Sequence, residues 1–72
     1  MAKNVRFLKN LTVDCIDEGK MSPSQADNIT YSRGTIREVE SVSQLSDSFM
    51  NITLANGILL LDVPTNSVII EE

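Results

Sequence analysis

The chain has 72 residues, a formal net charge of −4 and a sequence pI near 4.6. This length fits one domain, residues 1–72, with a marginal core, and the acidic balance argues against sequence-independent binding to phosphate backbones. Because the chain has no histidine and one cysteine, the sequence excludes a zinc cluster and an intrachain disulfide.

Two further features set the expected environment. No apolar run approaches the roughly 20 residues that a membrane span needs, and the first ten residues lack the apolar region of a secretory signal. A lone cysteine fits a reducing compartment. We therefore predict a cytoplasmic protein without cofactor or metal ion. Small domains without a disulfide or a structural metal ion gain stability by associating. We therefore also expect a homo-oligomer or a protein partner.

Residues 5–16 alternate between apolar and polar side chains, as a half-buried strand does. Lys9 interrupts this alternation and predicts a bulge or bend in the middle of the strand. Cys15 lies on the apolar side, so we expect a small buried hydrophobe there. The predicted inward set is Val5, Phe7, Leu11, Val13 and Cys15.

A long polar connection, residues 17–34, follows the first predicted strand. Its sequence Ser22-Pro23-Ser24-Gln25 resembles a helix start, and we predict a loop with one turn of helix rather than a longer helix. Residues 29–31 can pair as a short strand. An acidic group at this end has no EF-hand spacing, so we predict a solvated loop rather than a metal site; its members are Asp14, Asp17, Glu18 and Asp27.

Residues 35–42 form the second predicted strand. Ile36 and Val39 have opposite parity, so both face the core only if a bulge lies between them. Apolar residues also recur at three-residue intervals, at Ile36, Val39 and Val42, which is compatible with a helix. Because all three are β-branched, we favour a strand. A polar loop, residues 43–48, follows.

The strongest local pattern is residues 49–63, FMNITLANGILLLDV. Asn56-Gly57 predicts a two-residue turn with positive φ at both positions, which would join two strands into a hairpin. Residues 58–61 are all apolar, so both faces of the second strand should be covered. The core covers one face; the long loop or a second subunit covers the other.

The last part of the chain predicts a turn and a short strand. Residues 64–67 carry a proline and polar residues, which favours a turn. Residues 68–70 are apolar and β-branched and predict a strand. Glu71 and Glu72 close it and discourage edge-to-edge pairing.

The order of these elements resembles the SH3-like barrel over residues 31–71. A glycine precedes the second strand, a hairpin lies in the middle, and Val-Pro-x-x-x-Val leads into the terminal strand. The resemblance implies an all-β, five-stranded SH3-like barrel with a long loop after the first strand and a 3₁₀ turn at the proline segment. Such small barrels also occur among bacteriophage accessory proteins, which implies a viral role.

The ligand site of that family does not carry over to this chain. SH3 domains bind proline-rich peptides through several aromatic residues, among them a tryptophan and a tyrosine. This chain has no tryptophan. Phe49-Met50 stands near the tryptophan position and Ser67-Val68 near the tyrosine, so proline-peptide recognition is not expected.

We predict that the protein is not an enzyme, because Cys15 has no histidine to activate it. The expected function is a protein-interaction or assembly module that binds a partner or its own copies through an apolar strand face. The predicted partner-binding residues are Phe49, Leu59, Leu61 and Ile69.

The alternative function is a small nucleic-acid-binding barrel. In that case Phe7 and Tyr31 would stack on bases, as aromatic side chains do in single-strand binders. The basic residues of this alternative are Lys3, Arg6, Lys9, Arg33 and Arg37.

Overall fold

The computed structural model describes residues 3–17 and 27–72, and strands dominate them, which confirms the all-β prediction. A 3₁₀ helix, Thr65–Ser67, lies between the last two strands. Within the described residues, no helix has the length and apolar character that crossing a membrane requires. The strands are β1 (Lys3–Phe7), β2 (Leu11–Asp17), β3 (Asp27–Tyr31), β4 (Ile36–Gln44), β5 (Phe49–Leu54), β6 (Ile58–Pro64) and β7 (Val68–Glu71).

All seven strands belong to one antiparallel sheet, in the order β3-β2-β6-β5-β4-β1-β7. The sheet is open, with β3 and β7 at its two ends, so the predicted five-stranded count is wrong. The count is too low because the predicted strand 5–16 breaks at residues 8–10 into β1 and β2, and the connection after it returns as β3. The short strand expected at 29–31 lies within β3.

The short link between β1 and β2 forces the sheet to curl. These strands are four positions apart in the sheet, which is about 19 Å if the sheet is flat. The chain from Phe7 to Leu11 reaches at most about 15 Å. The rings of Phe7 on β1 and Tyr31 on β3 nevertheless stack with centroids 4.3 Å apart. The sheet therefore wraps around its own core.

The core fills the inside of this curl. The alternation in residues 5–16 correctly predicted the core residues of β1 and β2, which are Val5, Phe7, Val13 and Cys15. Leu11 is partly buried and packs against this core. Burying large side chains completely stabilises a fold by about 1.5–3 kcal/mol each, which a chain this short needs. The fully buried large side chains are Phe7, Ile52, Leu54, Leu60, Val5 and Val63.

The β5–β6 hairpin forms as predicted, but its turn differs. Gly57 N–H donates to Leu54 C=O at 3.1 Å, so Ala55 and Asn56 are the central residues. Gly57 has φ +90°, whereas Asn56 is not among the described residues with positive φ. In this three-residue loop Gly57 follows the two central residues of the turn. Its left-handed conformation lets β5 and β6 resume their pairing. The prediction of positive φ at both Asn56 and Gly57 is therefore wrong.

A β-bulge in β6 decides which of its apolar residues enter the core. Asn51 of β5 lies opposite both Leu61 and Asp62, since the register shifts between Met50 and Ile52. Asp62 takes φ 51°, and its N–H donates to Asn51 Oδ1 at 3.1 Å. The extra residue reverses the alternation, so Leu60 and Val63 are both fully buried.

Strand β4 has its irregularity further along than predicted. Its first residues pair with β1 and its later residues pair with β5, and the register shifts between Val39 and Ser41. Ile36 remains on the face opposite to Val39 and is 49% exposed. The expectation that a bulge brings Ile36 into the core is therefore wrong. The predicted helical turn at residues 22–25 lies outside the described residues.

Replacing Gly57 tests the turn. We expect Gly57→Ala to lower the free energy of unfolding by about 1–2 kcal/mol, because an L-residue with a Cβ is strained at left-handed φ. Since nothing lies within 4 Å of an added Cβ there, this cost is conformational. Gly57→Asn is the control and should cost less, because asparagine tolerates that conformation. Equal losses for both variants in urea unfolding would contradict the assignment.

Candidate interaction surface

The convex side of the sheet carries an apolar strip, which we call the outer face. Its residues alternate with the core residues of three neighbouring strands. Phe49 lies on β5 opposite Pro64 of β6, and Ile16 of β2 lies opposite Leu59 of β6. Leu61 lies between them along β6. The outer face consists of Ile16, Phe49, Leu59, Leu61 and Pro64.

Cross-strand register determines which of these side chains are direct neighbours. Directly opposite residues in antiparallel strands have Cβ atoms about 4.5–5.5 Å apart. Thr53, Leu59 and Ile16 form one such row across β5, β6 and β2, and Leu61 lies opposite Asp14. Phe49 is 44% exposed, and the other four members are half-buried. Their contact with solvent leaves apolar area for a partner to cover.

The outer face ends in an open pocket of about 450 Å³ beside Phe49. The pocket lies between the β4–β5 loop and the 3₁₀ helix. Thr65 ties these segments together, because its N–H donates to Ser48 C=O and its hydroxyl donates to Asp47 C=O, both at 2.9 Å. The pocket is lined by Asp47, Ser48, Phe49, Pro64, Thr65 and Asn66.

Hydrogen bonds within the β4–β5 loop hold Phe49 in place. The Ser46 hydroxyl oxygen accepts the N–H groups of Ser48 and Phe49, each at 3.2 Å. The Phe49 carbonyl in turn accepts the N–H groups of Leu45 and Ser46, each at 3.1 Å. The Gln44 amide donates to the Ser46 carbonyl. A partner therefore meets a backbone that is already ordered, which lowers the entropy cost of binding.

The charged side chains that the structure places beside the outer face, within residues 3–16 and 27–72, are acidic. Residues 38–72 contain no lysine or arginine and six acidic residues. Asp47 lines the pocket, Asp62 follows Leu61, and Asp14 lies opposite Leu61. A ligand that covers the apolar strip therefore meets negative charge at the rim, which favours a basic partner.

The structure brings together three of the four predicted partner-binding residues. Phe49, Leu59 and Leu61 share the outer face. Ile69 lies on β7 opposite Arg6 of β1, in another part of the sheet. Ile16 and Pro64 were not predicted as site residues. The sequence holds only a weak signal for Ile16, which is its apolar character on the polar side of the predicted first strand.

The basic residues of the nucleic-acid alternative are spread over several positions. Lys3 lies at the start of β1, opposite Val39. Arg6 points to the outward side and forms an ion pair with Glu71, with Nη2 and Oε1 3.0 Å apart. Lys9 lies beyond the other end of β1, and the Arg33 N–H donates to Asn10 Oδ1 at 2.9 Å beside it.

The two aromatic rings that the nucleic-acid alternative requires are buried in the core. Phe7 is fully buried and Tyr31 is 5% exposed, and the rings stack with an interplanar angle of 10°. The guanidinium carbon of Arg37 lies 5.8 Å from the centroid of the Tyr31 ring, a distance typical of a cation–π contact. Neither ring offers a free face for a base.

The predicted acidic group around β2 and β3 lies only partly within the residues whose side chains the structure describes, which include Asp14 and Asp27. Asp14 lies opposite Asn28, and Asp27 lies opposite Cys15. No group of three or more potential metal ligands occurs in residues 3–17 and 27–72, and Glu18 lies outside them. Cys15 is buried in the core, as predicted.

Comparison of the chain with protein-family models, curated proteins and solved structures gives no match.

The buried ring of Tyr31 predicts an alkaline loss of stability. Burial raises the pKa of Tyr31 above its ordinary value, while the charge of Arg37 opposes this rise and Cys15 adds to it. The folded state then holds the phenol proton more tightly than the unfolded state. This contribution is complete below pH about 10 and declines as pH rises through the raised pKa.

Titration of tyrosinate absorbance measures this pKa directly, because Tyr31 is the chain's only tyrosine and tryptophan is absent. We expect a higher pKa in the native chain than in urea. Arg37→Ala should raise it further, since the guanidinium favours the phenolate. Tyr31→Phe should remove the matching part of the alkaline decline in unfolding free energy. Equal pKa values in native and unfolded chains would contradict the prediction.

Proposed function

We propose that the chain is a non-enzymatic protein-interaction module that binds a protein partner through the outer face. The observation that carries the proposal is the group of partly exposed apolar residues on one side of β5, β6 and β2, with Phe49 and its pocket at one end and Leu59 beside Ile16 at the other. Exposed apolar strips rimmed by polar groups are typical of protein interaction sites. Phe49 is its anchor, because exposed aromatic residues beside a pocket supply much of the energy at such interfaces.

The charge of the rim supports one class of partner. Asp14, Asp47 and Asp62 border the strip, and the strands β5 and β6 carry no positive side chain. We infer a partner segment whose apolar side chains sit on the strip and whose lysine or arginine side chains flank them. Opposite charges would speed its association at low salt. Such a module would act in the cytoplasm.

Three features support an SH3-like architecture as part of the proposal. Pro64 leads into a 3₁₀ helix, β7 pairs with β1, and β4 divides its pairing between β1 and β5. In this view the β2–β3 hairpin takes the place of the long loop after the first strand. The bacteriophage accessory role and the nucleic-acid alternative stay predictions.

Selection from a displayed library of random peptides tests the proposal, because this experiment does not require a named partner. We expect the selected peptides to combine apolar residues with a net positive charge. In nuclear magnetic resonance titrations they should shift the amides of Ile16, Phe49, Leu59 and Leu61. Leu61→Asp should weaken binding at least about tenfold, the loss typical of a central interface residue.

Ile69→Asp is the matched control, because Ile69 is as exposed as Phe49 but lies off the outer face. This variant should bind the peptides as the native chain does. If Leu61→Asp unfolds the chain, Phe49→Ser at the exposed pocket takes its place. Amide shifts confined to β1 and β7 on addition of peptide would overturn the proposal. So would a library that yields no binding peptide while single-stranded DNA retains the chain in a salt-sensitive manner.

A further inference from the structure

The two ends of the sheet differ in how they discourage further pairing. Strand β3 ends the sheet with polar residues, including Asp27 and Asn28. Strand β7 ends it with Val68, Ile69 and Ile70, which have high strand propensity and carry no charge. Natural edge strands usually carry lysine, proline or a bulge against pairing with other chains. The middle of β7 has none of these.

The hydrogen bonds of β1 show which groups of β7 face outward. Phe7 N–H donates to Thr35 C=O at 2.9 Å on the β4 side, so it points away from its β7 partner Val68. Leu8 N–H donates to Ser67 C=O at 2.8 Å. Hydrogen-bonded pairs alternate along an antiparallel ladder. The backbone groups of Val68 and Ile70 therefore point away from β1.

We propose that β7 binds the β7 strand of a second copy of this chain, antiparallel and about a two-fold axis at Ile69. The outward backbone groups select this register. Val68 then lies opposite Ile70 of the second copy, and Ile70 opposite its Val68, which gives two hydrogen-bonded pairs of two bonds each. Shifting the axis to Val68 or Ile70 leaves only one such pair within the four-residue strand.

Side chains agree with the same register. Ile69 is 44% exposed and would contact its own copy across the axis. Glu71 would lie opposite Ser67, and Glu72 opposite Asn66, so no two carboxylates face each other. Arg6 already binds Glu71 at 3.0 Å, which compensates the one charge within β7. The terminal acids therefore do not oppose pairing in this register.

The same pairing extends a cross-strand row on the outward side in which two isoleucines flank an arginine. Ile36 on β4, Arg6 on β1 and Ile69 on β7 lie in one cross-strand row. Two-fold pairing doubles this row and covers Ile69 at its centre. Because Ile69 lies off the outer face, this inference does not rest on the proposed function, and both surfaces can be occupied at once.

Disulfide trapping tests the register. Residues at the axis form a non-hydrogen-bonded pair with Cα atoms about 4.5 Å apart, within the range a disulfide spans. We expect Ile69→Cys to form a covalent dimer with oxidised glutathione at least about tenfold faster than Ile36→Cys. Ile36 is the matched control, since it is 49% exposed and lies on the same side away from the edge.

The unsubstituted chain, whose single Cys15 is buried, gives the background rate. Equal trapping of the two variants would overturn the proposal, because it would reflect random collision. Sedimentation of the native chain over a range of concentrations is the second measurement. We expect a mass above the monomer that Ile69→Lys abolishes and Ile36→Lys preserves. A native chain that stays monomeric throughout would also overturn it.

Discussion

The three residues between β1 and β2 constrain the whole structure. They are too few to cross a flat sheet, so the strands between β1 and β2 have to curve. The curve closes one face into a core and leaves the other face convex. Phe7 and Tyr31 meet inside it, although their strands are near opposite ends of the sheet. The stack depends on the curl, and it holds the curl in place through large buried rings.

The outer face is a result of the same geometry. A chain of 72 residues can bury little apolar surface, and the inside of the curl is already filled by the alternating residues of β2, β5 and β6. The bulge at Asp62 brings Val63 into that core and leaves Leu61 outside. The apolar residues left on the convex side lie beside the acidic residues Asp14, Asp47 and Asp62. Shape and charge at this surface therefore both follow from the way the core is filled.

Much of the fold could be predicted because period-two alternation is a local signal. It assigned Val5, Phe7, Val13 and Cys15 to the core, and it located the β5–β6 hairpin. Lys9 predicted an irregularity in the middle of this segment, but not its division into two strands, because that depends on β4 and β6, which pair with the two halves of the segment. The parity of Val63 depends on a bulge stabilised by Asn51 across the hairpin. The grouping of Phe49 with Leu61, but not with Ile69, depends on sheet order, which no local pattern contains.

The position of β1 has a consequence for how the chain folds during synthesis. Both neighbours of β1, which are β4 and β7, are made after it. The β4–β5–β6 meander can form from nearby segments, whereas β1 pairs with β4 across about thirty residues and gains its second neighbour only when β7 is available. Long-range pairing costs loop entropy before its contacts form and slows folding. Strand β1 is therefore paired on both sides only after β7 has been made, although it precedes both of its neighbours in the chain.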